Sequence, residues 1–277
     1  MAAIRKKTVS VSARQGTGVR VETKDATRSA GLRRGLQILC LFSEARPEWG
    51  VSEIAREMNV HKSRIHRSLK TLEDMGFLRK TPDTRRYLMG FKTFEIGSLA
   101  GRLTNRMAWA RHDLRQLASK LKATVSLRLV VDDDLLVVDM IESLDHLPAH
   151  MPQGARVPLN YGAGGQILAG FLTDDAIRAL IRKHGLPRYT AKSLTRESDF
   201  LSAVRRVRRE CYAVSDGETI PGSFSVAAPI VAPEGKLAAV LVVSRPLDGL
   251  SRSAIKAFAA STVEAAHQLS QRAIEAA

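Results

Sequence analysis

Lys62, Ser63, Arg64, His66, Arg67 and Lys70 lie within nine residues of one another. Cations and a hydroxyl at this spacing suit the reading of a polyanion. A guanidinium can grip guanine O6 and N7 in a bidentate pair, worth roughly 1–3 kcal/mol of discrimination against the wrong base. Other groups invite different chemistry. His146, His150, Ser223 and Asp216 are the types a hydrolase uses, but no nucleophile elbow, HExxH or paired metal spacing gathers them. No catalytic residue, cofactor or metal is therefore assigned. Asp132-Asp133-Asp134 reads as a solvated turn, because adjacent carboxylates in a tight turn point in different directions.

The basic cluster needs a helix to present it. Placing Ile65, Leu69 and Leu72 inward sets Ser63, Arg67 and Lys70 on the opposite face and Arg64 and His66 on its flanks. Ser52 is a suitable N-cap for a preceding helix over 53–58, Asn59-Val60 makes a turn, and Gly76 stops the second helix after Met75. Leu78–Lys80 and Arg86–Met89 flank Thr81-Pro82-Asp83-Thr84, a hairpin signal that reads as a wing. Two braced helices with a wing put the second helix in the major groove. Ser63, Arg64 and Arg67, near its N-terminal end, are placed to reach base edges. Lys62, His66, Lys70 and Arg56, with Lys80, Arg85 and Arg86 from the wing, suit phosphates, which position without specifying.

Charge distribution agrees with that assignment. The 277-residue chain carries a net charge of +15. Residues 1–92 hold 20 Lys+Arg against 9 Asp+Glu, whereas residues 93–277 hold 23 against 19. Most of the excess sits in the first third, the footprint of a separate polyanion-binding part. The length suffices for two cores. Hydrophobic content of 44% with no long apolar run argues for a globular protein without a membrane span. Cys40 and Cys211 stand apart with no metal spacing, which fits a reducing, cytoplasmic setting.

The organisation read from composition and periodicity is a basic arm over 1–28, a winged helix-turn-helix over 29–90, a connecting helix over 91–121 and a second domain over 122–277. The arm is either an inert tail or a phosphate-tracking one. Leu32, Leu36, Leu39 and Phe42 form the apolar face of a first helix, and Gly97 and Gly101 mark weak points in the connecting helix. Beyond it, Thr124–Val131 alternates with Val125, Leu127, Leu129 and Val131 on one face, and turns back into a partner over 135–142. Helices follow near 173–184 and 198–209, then a second hairpin over 226–231 and 236–243, then a closing helix over 251–273. Antiparallel hairpins with flanking helices make the fold class α+β.

In its motifs the chain resembles the IclR family of bacterial transcriptional regulators. The first half is similar in GLQILCLF, VSEIAREMNVHKSRIHRSLKTLEDMGFL and YLMG. The second half is similar in VPLNYGAGGQILAG, LPRYTAKSLT and RVRRECYAVSDGETIPGSFSVAAPIVAPEGKLAAVLVVSRP. The resemblance implies a GAF-like α/β effector domain, a homodimer or tetramer on a palindromic double-stranded DNA operator, and a small organic-acid or aromatic effector. Carried onto matching positions, it implies a pocket lined by Met140, Gly162, Ala163, Gly164, Asp216, Glu218, Ser223, Ser225 and Ser244. Small residues at a helix start let a carboxylate approach backbone N–H groups. Two positions depart from the family pattern: Gln166 stands where lysine is usual and Cys211 where glycine is common. An architectural DNA-binding protein without ligand, or an enzyme with a tethered DNA-binding domain, are the alternative expectations.

Overall fold

A computed structural model describes residues 23–43, 45–104, 110–143, 151–247 and 251–275. His146 and His150, and most of the proposed basic arm, lie outside the described residues. Those described fall into two compact units that divide at residues 105–106.

The first unit comprises α1 (Thr23–Leu39), α2 (Val51–Glu57), α3 (Lys62–Asp74), β1 (Leu78–Lys80), β2 (Tyr87–Met89) and α4 (Phe91–Thr104). Ile38, Trp49, Ile54, Ile65, Leu69, Leu78 and Tyr87 are buried together. Asn59 takes a left-handed φ of 51° between α2 and α3, a conformation asparagine tolerates better than most residues. The wing is antiparallel, with Leu78 opposite Met89 and Lys80 opposite Tyr87. At its exit the chain is crowded: a Cβ on Gly90 would come within 2.1 Å of the Gly76 carbonyl oxygen.

Three expectations are corrected here. Helix α1 begins at Thr23, inside the segment assigned to the arm, because no glycine or proline interrupts residues 23–30; low apolar content obscured that. Its buried residues are Gly35 and Ile38; Leu39 and, just beyond the helix, Phe42 pack half-buried against the same core as expected, while Leu32 and Leu36 are exposed. A Cβ on Gly35 would lie 3.9 Å from Leu72 of α3, an ordinary packing distance. The cap of α2 is Gly50, two residues before Ser52. There the Gly50 N–H donates to Glu53 Oε2 (3.0 Å), satisfying one otherwise orphaned donor.

The second unit comprises α5 (Arg111–Leu121), β3 (Thr124–Val131), β4 (Asp134–Ile141), β5 (Arg156–Val157), α6 (Gly162–Gly170), α7 (Asp174–His184), α8 (Glu197–Glu210), β6 (Ala213–Asp216), β7 (Ser223–Val231), β8 (Leu237–Pro246) and α9 (Arg252–Glu275). The strands form one antiparallel sheet in the order β5-β4-β3-β8-β7-β6. Both predicted hairpins are present, and β3 paired to β8 merges them. Each face of the sheet has its own core. Val125, Leu127, Val226, Leu241 and Val243 pack with α5 and α9, and Val137, Ala227, Val240 and Val242 pack with α6, α7 and α8.

The expectation of one connecting helix over 91–121 is also corrected. Helix α5 presents Leu114, Leu117 and Ala118 to the second unit's core, an i, i+3, i+4 stripe that commits it to burial. Helix α4 runs through Gly97 and Gly101, and a Cβ on either glycine would meet nothing within 4 Å. The triple aspartate turn is held by cations: Arg156 lies 3.5 Å from Asp132 and 3.3 Å from Asp134, and Lys183 3.3 Å from Asp133.

Candidate nucleic-acid interface and ligand cavity

Helix α3 divides as its sequence requires. Ile65, Ser68, Leu69 and Leu72 are buried, and Lys62, Ser63, Arg64, His66, Arg67 and Lys70 are exposed. At its start His61 Nδ1 accepts from the Ser63 N–H (3.4 Å) and lies 2.9 Å from Ser63 Oγ. Ser63 is thus engaged in the cap.

The cations of this unit separate into two groups. Lys62, Arg64 and Arg67 are exposed and form no ion pair with any described residue. The same holds for Arg85, on the wing loop, and for Arg56, whose Nε donates only to the Ser52 carbonyl (3.4 Å). Lys70 instead pairs with Asp74 at 2.8 Å and Lys80 with Glu73 at 3.1 Å; Asp74 raises the pKa of the Lys70 ammonium, and Tyr87, then Glu73, raise that of Lys80. Arg86, expected at a phosphate, is turned inward: Nη2 and Nη1 donate to Glu53 Oε2 (2.6 Å) and Oε1 (3.3 Å), and Nη2 also to the Glu48 carbonyl. Two guanidinium donors facing two carboxylate oxygens form a fork that ties the wing to α2. Charge counting along the sequence does not find a partner 33 residues away.

In the second unit a cavity of about 80 Å³ opens between the sheet and the start of α6. Its floor comes from period-2 alternation in β3. Val125 and Leu127 face α5 and α9, so Thr124, Ser126 and Arg128 face the other way, into the cavity. Register then builds a row of hydroxyls across four neighbouring strands, with Thr124 opposite Ser244, Ser244 opposite Ser225, and Ser225 opposite Ser215. Met140, Met151, Ile220 and Val242 add apolar surface, and Tyr161, Gly162, Ala163 and Gly164 close the α6 side.

Of the expected pocket residues, Met140, Gly162, Ala163, Gly164, Ser223, Ser225 and Ser244 line the cavity. Asp216 and Glu218 do not. On β6 the inward residues are Ala213 and Ser215, so Asp216 falls on the opposite face, paired with Lys192 at 3.0 Å. Glu218 sits behind the lining and accepts from Gln166 Nε2 (2.8 Å). Burial pushes its carboxyl pKa up, against hydrogen bonds from Ser215 and Gln166 that lower it. The amide at 166 therefore serves this buried carboxyl.

Arg128 is the cavity residue that the motifs did not indicate. It is only 8% exposed, and burial pulls its guanidinium pKa down to about 10, opposed by the nearby Tyr161. It remains charged at neutral pH. The signal was available as the complement of the aliphatic face of β3.

The sequence and fold can be set beside known proteins. Residues 104–271 match the family model described as the C-terminal domain of the bacterial transcriptional regulator IclR, and residues 31–82 match the IclR helix-turn-helix domain. The transcriptional repressor IclR of Escherichia coli K12 is 23% identical over 262 residues, which cover 94% of this chain and 96% of that protein. A crystal structure of an IclR transcriptional regulator from Alicyclobacillus acidocaldarius superposes with a TM-score of 0.76 at 26% identity, covering 88% of this chain and 98% of that one. The structure of an IclR homologue from Microbacterium hydrocarbonoxydans in complex with 4-hydroxybenzoate gives 0.75 at 19% identity, covering 89% and 100%.

Proposed function

The chain belongs to the IclR family of bacterial transcriptional regulators, and from that premise we propose that it is a ligand-controlled switch on a palindromic operator. It is a DNA-binding regulator with a C-terminal effector domain, not an enzyme. The observation that carries the reading is the exposed, ion-pair-free set of Lys62, Arg64 and Arg67 on a helix whose opposite side is buried.

In this reading the first half of α3 enters the major groove, and Arg64 and Arg67 meet base edges. Lys62, His66, Arg56 and Arg85 meet phosphates. Lys70 and Lys80, each shared with a carboxylate, add less, and Arg86 holds the wing in place. A palindrome calls for two copies. Leu32 and Leu36 of α1 and Phe91, Phe94, Ile96 and Leu99 of α4 are exposed apolar side chains, and we assign them to a contact between two chains. A homodimer, or a pair of dimers, follows.

The effector occupies the cavity beneath α6, and the complex of a fold relative with 4-hydroxybenzoate supports an organic or aromatic acid. Such a ligand shifts the population of operator-competent dimers, with a coupling of about 1–3 kcal/mol. No helix among the described residues is long and apolar enough to cross a membrane, which suits action on cytoplasmic DNA.

Fluorescence anisotropy with labelled promoter fragments tests the reading. We expect tight binding to one fragment, weak binding to the rest, and a steep loss as salt is raised. Equal affinity for every fragment would replace a regulator with an architectural DNA-binding protein.

A further inference from the structure

Strand β4 carries one residue more than the partner it faces. Leu127 of β3 stands opposite Asp139 and the next residue, Arg128, opposite Val137, so Val138 has no partner on β3. The Val138 carbonyl accepts from Gln153 Nε2 (2.7 Å). Such a bulge re-aims the side chains that follow it. Val138 packs against the core on the α5 and α9 side, and its successor Asp139 reaches α5 on that same side. Alternation then resumes, with Met140 in the cavity and Ile141 against the α5 and α9 core. An uninterrupted register would exchange the two, setting Asp139 toward the cavity and Met140 toward α5.

Asp139 is only 3% exposed, and Arg111 is the one cation it pairs with among the described residues. The Asp139 Oδ1 that meets Arg111 also accepts the Met140 N–H (2.9 Å). One oxygen thus joins the cavity wall to Arg111. Arg111 is the first residue of α5, which follows the division of the chain at residues 105–106. No side chain caps this helix start at Ala110. Its other ion pair joins Asp113, in the first turn, to Arg272 of α9. An uncapped first turn opens and closes, and its neighbours decide how often.

We propose that Asp139 and Arg111 set this opening according to what packs on Met140, and so carry the state of the cavity to the start of α5. Resting on the sensor reading above, the assignment makes both of them positioning residues, since neither lines the cavity. A group packed on Met140 fixes its backbone, keeps the Asp139 carboxylate aimed at Arg111, and holds the first turn shut. Empty space beside Met140 loosens all three. The helix start is the two-state element, and the cavity biases it.

Hydrogen exchange of the full-length protein, resolved to single amides, tests this without any ligand. The informative amides are those of Arg115 and Gln116, whose α-helical acceptors are the Arg111 and His112 carbonyls. Asp139→Asn keeps an acceptor for the Met140 N–H but removes the charge. It should speed exchange at both amides about tenfold, the weakening of a charged hydrogen bond. Met140→Ala, which enlarges the cavity, should speed exchange roughly threefold in the wild-type background, as expected of a coupled neighbour. In the Asp139→Asn or Arg111→Gln background it should add nothing. A pair that is structural only would let the two effects multiply. Multiplying effects, or no response to Met140→Ala in the wild-type background, would overturn the proposal. Arg111→Gln leaves a buried carboxylate without its counter-charge; where that variant fails to fold, the Asp139→Asn cycle decides alone. Coupled exchange in a protein that binds no promoter DNA sustains the pair's role and sinks the regulator. Promoter binding with multiplying exchange effects sinks the pair's role alone.

Discussion

Arg86 and Glu53 face each other as a fork, with Nη2 2.6 Å from Oε2 and Nη1 3.3 Å from Oε1. Glu53 also accepts the Gly50 N–H and pairs with Arg46 at 3.2 Å, so one carboxylate caps α2 and anchors the wing.

The Gly50 N–H, then Arg86, hold the Glu53 carboxyl pKa down from 4.5 to about 2. A carboxyl with a depressed folded-state pKa contributes stability that is fully present above its unfolded value and fades as pH falls toward the folded one. Glu53→Gln should therefore lower the melting temperature of the first unit at pH 7. The gap between variant and wild type should close between about pH 4.5 and pH 2, as melting curves across that range will show. A gap that persists at pH 2 would mean the fork is not its source.

Specificity and affinity should separate on α3. Arg67→Ala or Arg64→Ala is expected to cost about 1–3 kcal/mol against the preferred operator and far less against random DNA. Lys62→Ala should weaken both alike and reduce the slope of log affinity against log salt by about 1. Anisotropy titrations at several salt concentrations, on operator and scrambled duplexes, distinguish these two behaviours.

The face of α3 was legible because a 3.6-residue period with Ile65, Leu69 and Leu72 inward leaves little choice about the rest. The cavity was legible only in part. Period-2 alternation in β3 says that Thr124, Ser126 and Arg128 share a face, but which face is covered depends on where α6 arrives, a contact made far along the chain. Asp216 shows the same limit at a single step. Its neighbour Ser215 is buried and Asp216 is exposed, so a one-residue difference on a strand decides membership of the site. Arg86 and Arg67 are one residue type in one segment, and only the three-dimensional partner Glu53 distinguishes their tasks.

Gly90 should not accept a side chain. A Cβ there would lie 2.1 Å from the Gly76 carbonyl oxygen and 2.9 Å from the Phe77 carbonyl carbon, both of them backbone atoms with no rotamer to yield. Gly90→Ala is expected to destabilise the first unit by about 2–4 kcal/mol, measured by urea denaturation. Gly97→Ala meets nothing within 4 Å and lies within α4, so it should stabilise by about 0.5–1 kcal/mol.

The apolar surface of α4 gives a prediction about assembly. Phe91 and Phe94 are 77% and 75% exposed, and the proposed contact between two chains would cover them. If the chain pairs as proposed, Phe91→Glu together with Phe94→Glu should shift it from dimer toward monomer in light scattering while circular dichroism keeps its helical signal. Operator affinity should fall with it. A double variant that stays dimeric would place the interface elsewhere.

Cys211 ends α8 in the left-handed conformation, at φ 61° and ψ 19°, with its N–H donating to the Val207 carbonyl (2.8 Å). That geometry belongs to glycine, since any Cβ there crowds the following carbonyl at a cost of about 1–2 kcal/mol. Part of the relief is offset because glycine frees the unfolded chain. Cys211→Gly should therefore stabilise the second unit by a net amount of about 0.5–1 kcal/mol. Calorimetry should register this as a rise of a few degrees in melting temperature. The control is Cys211→Ala, which removes the thiol but keeps the Cβ. If backbone strain is the cause, alanine should give no gain, and equal gains from both variants would transfer the effect to the half-buried thiol.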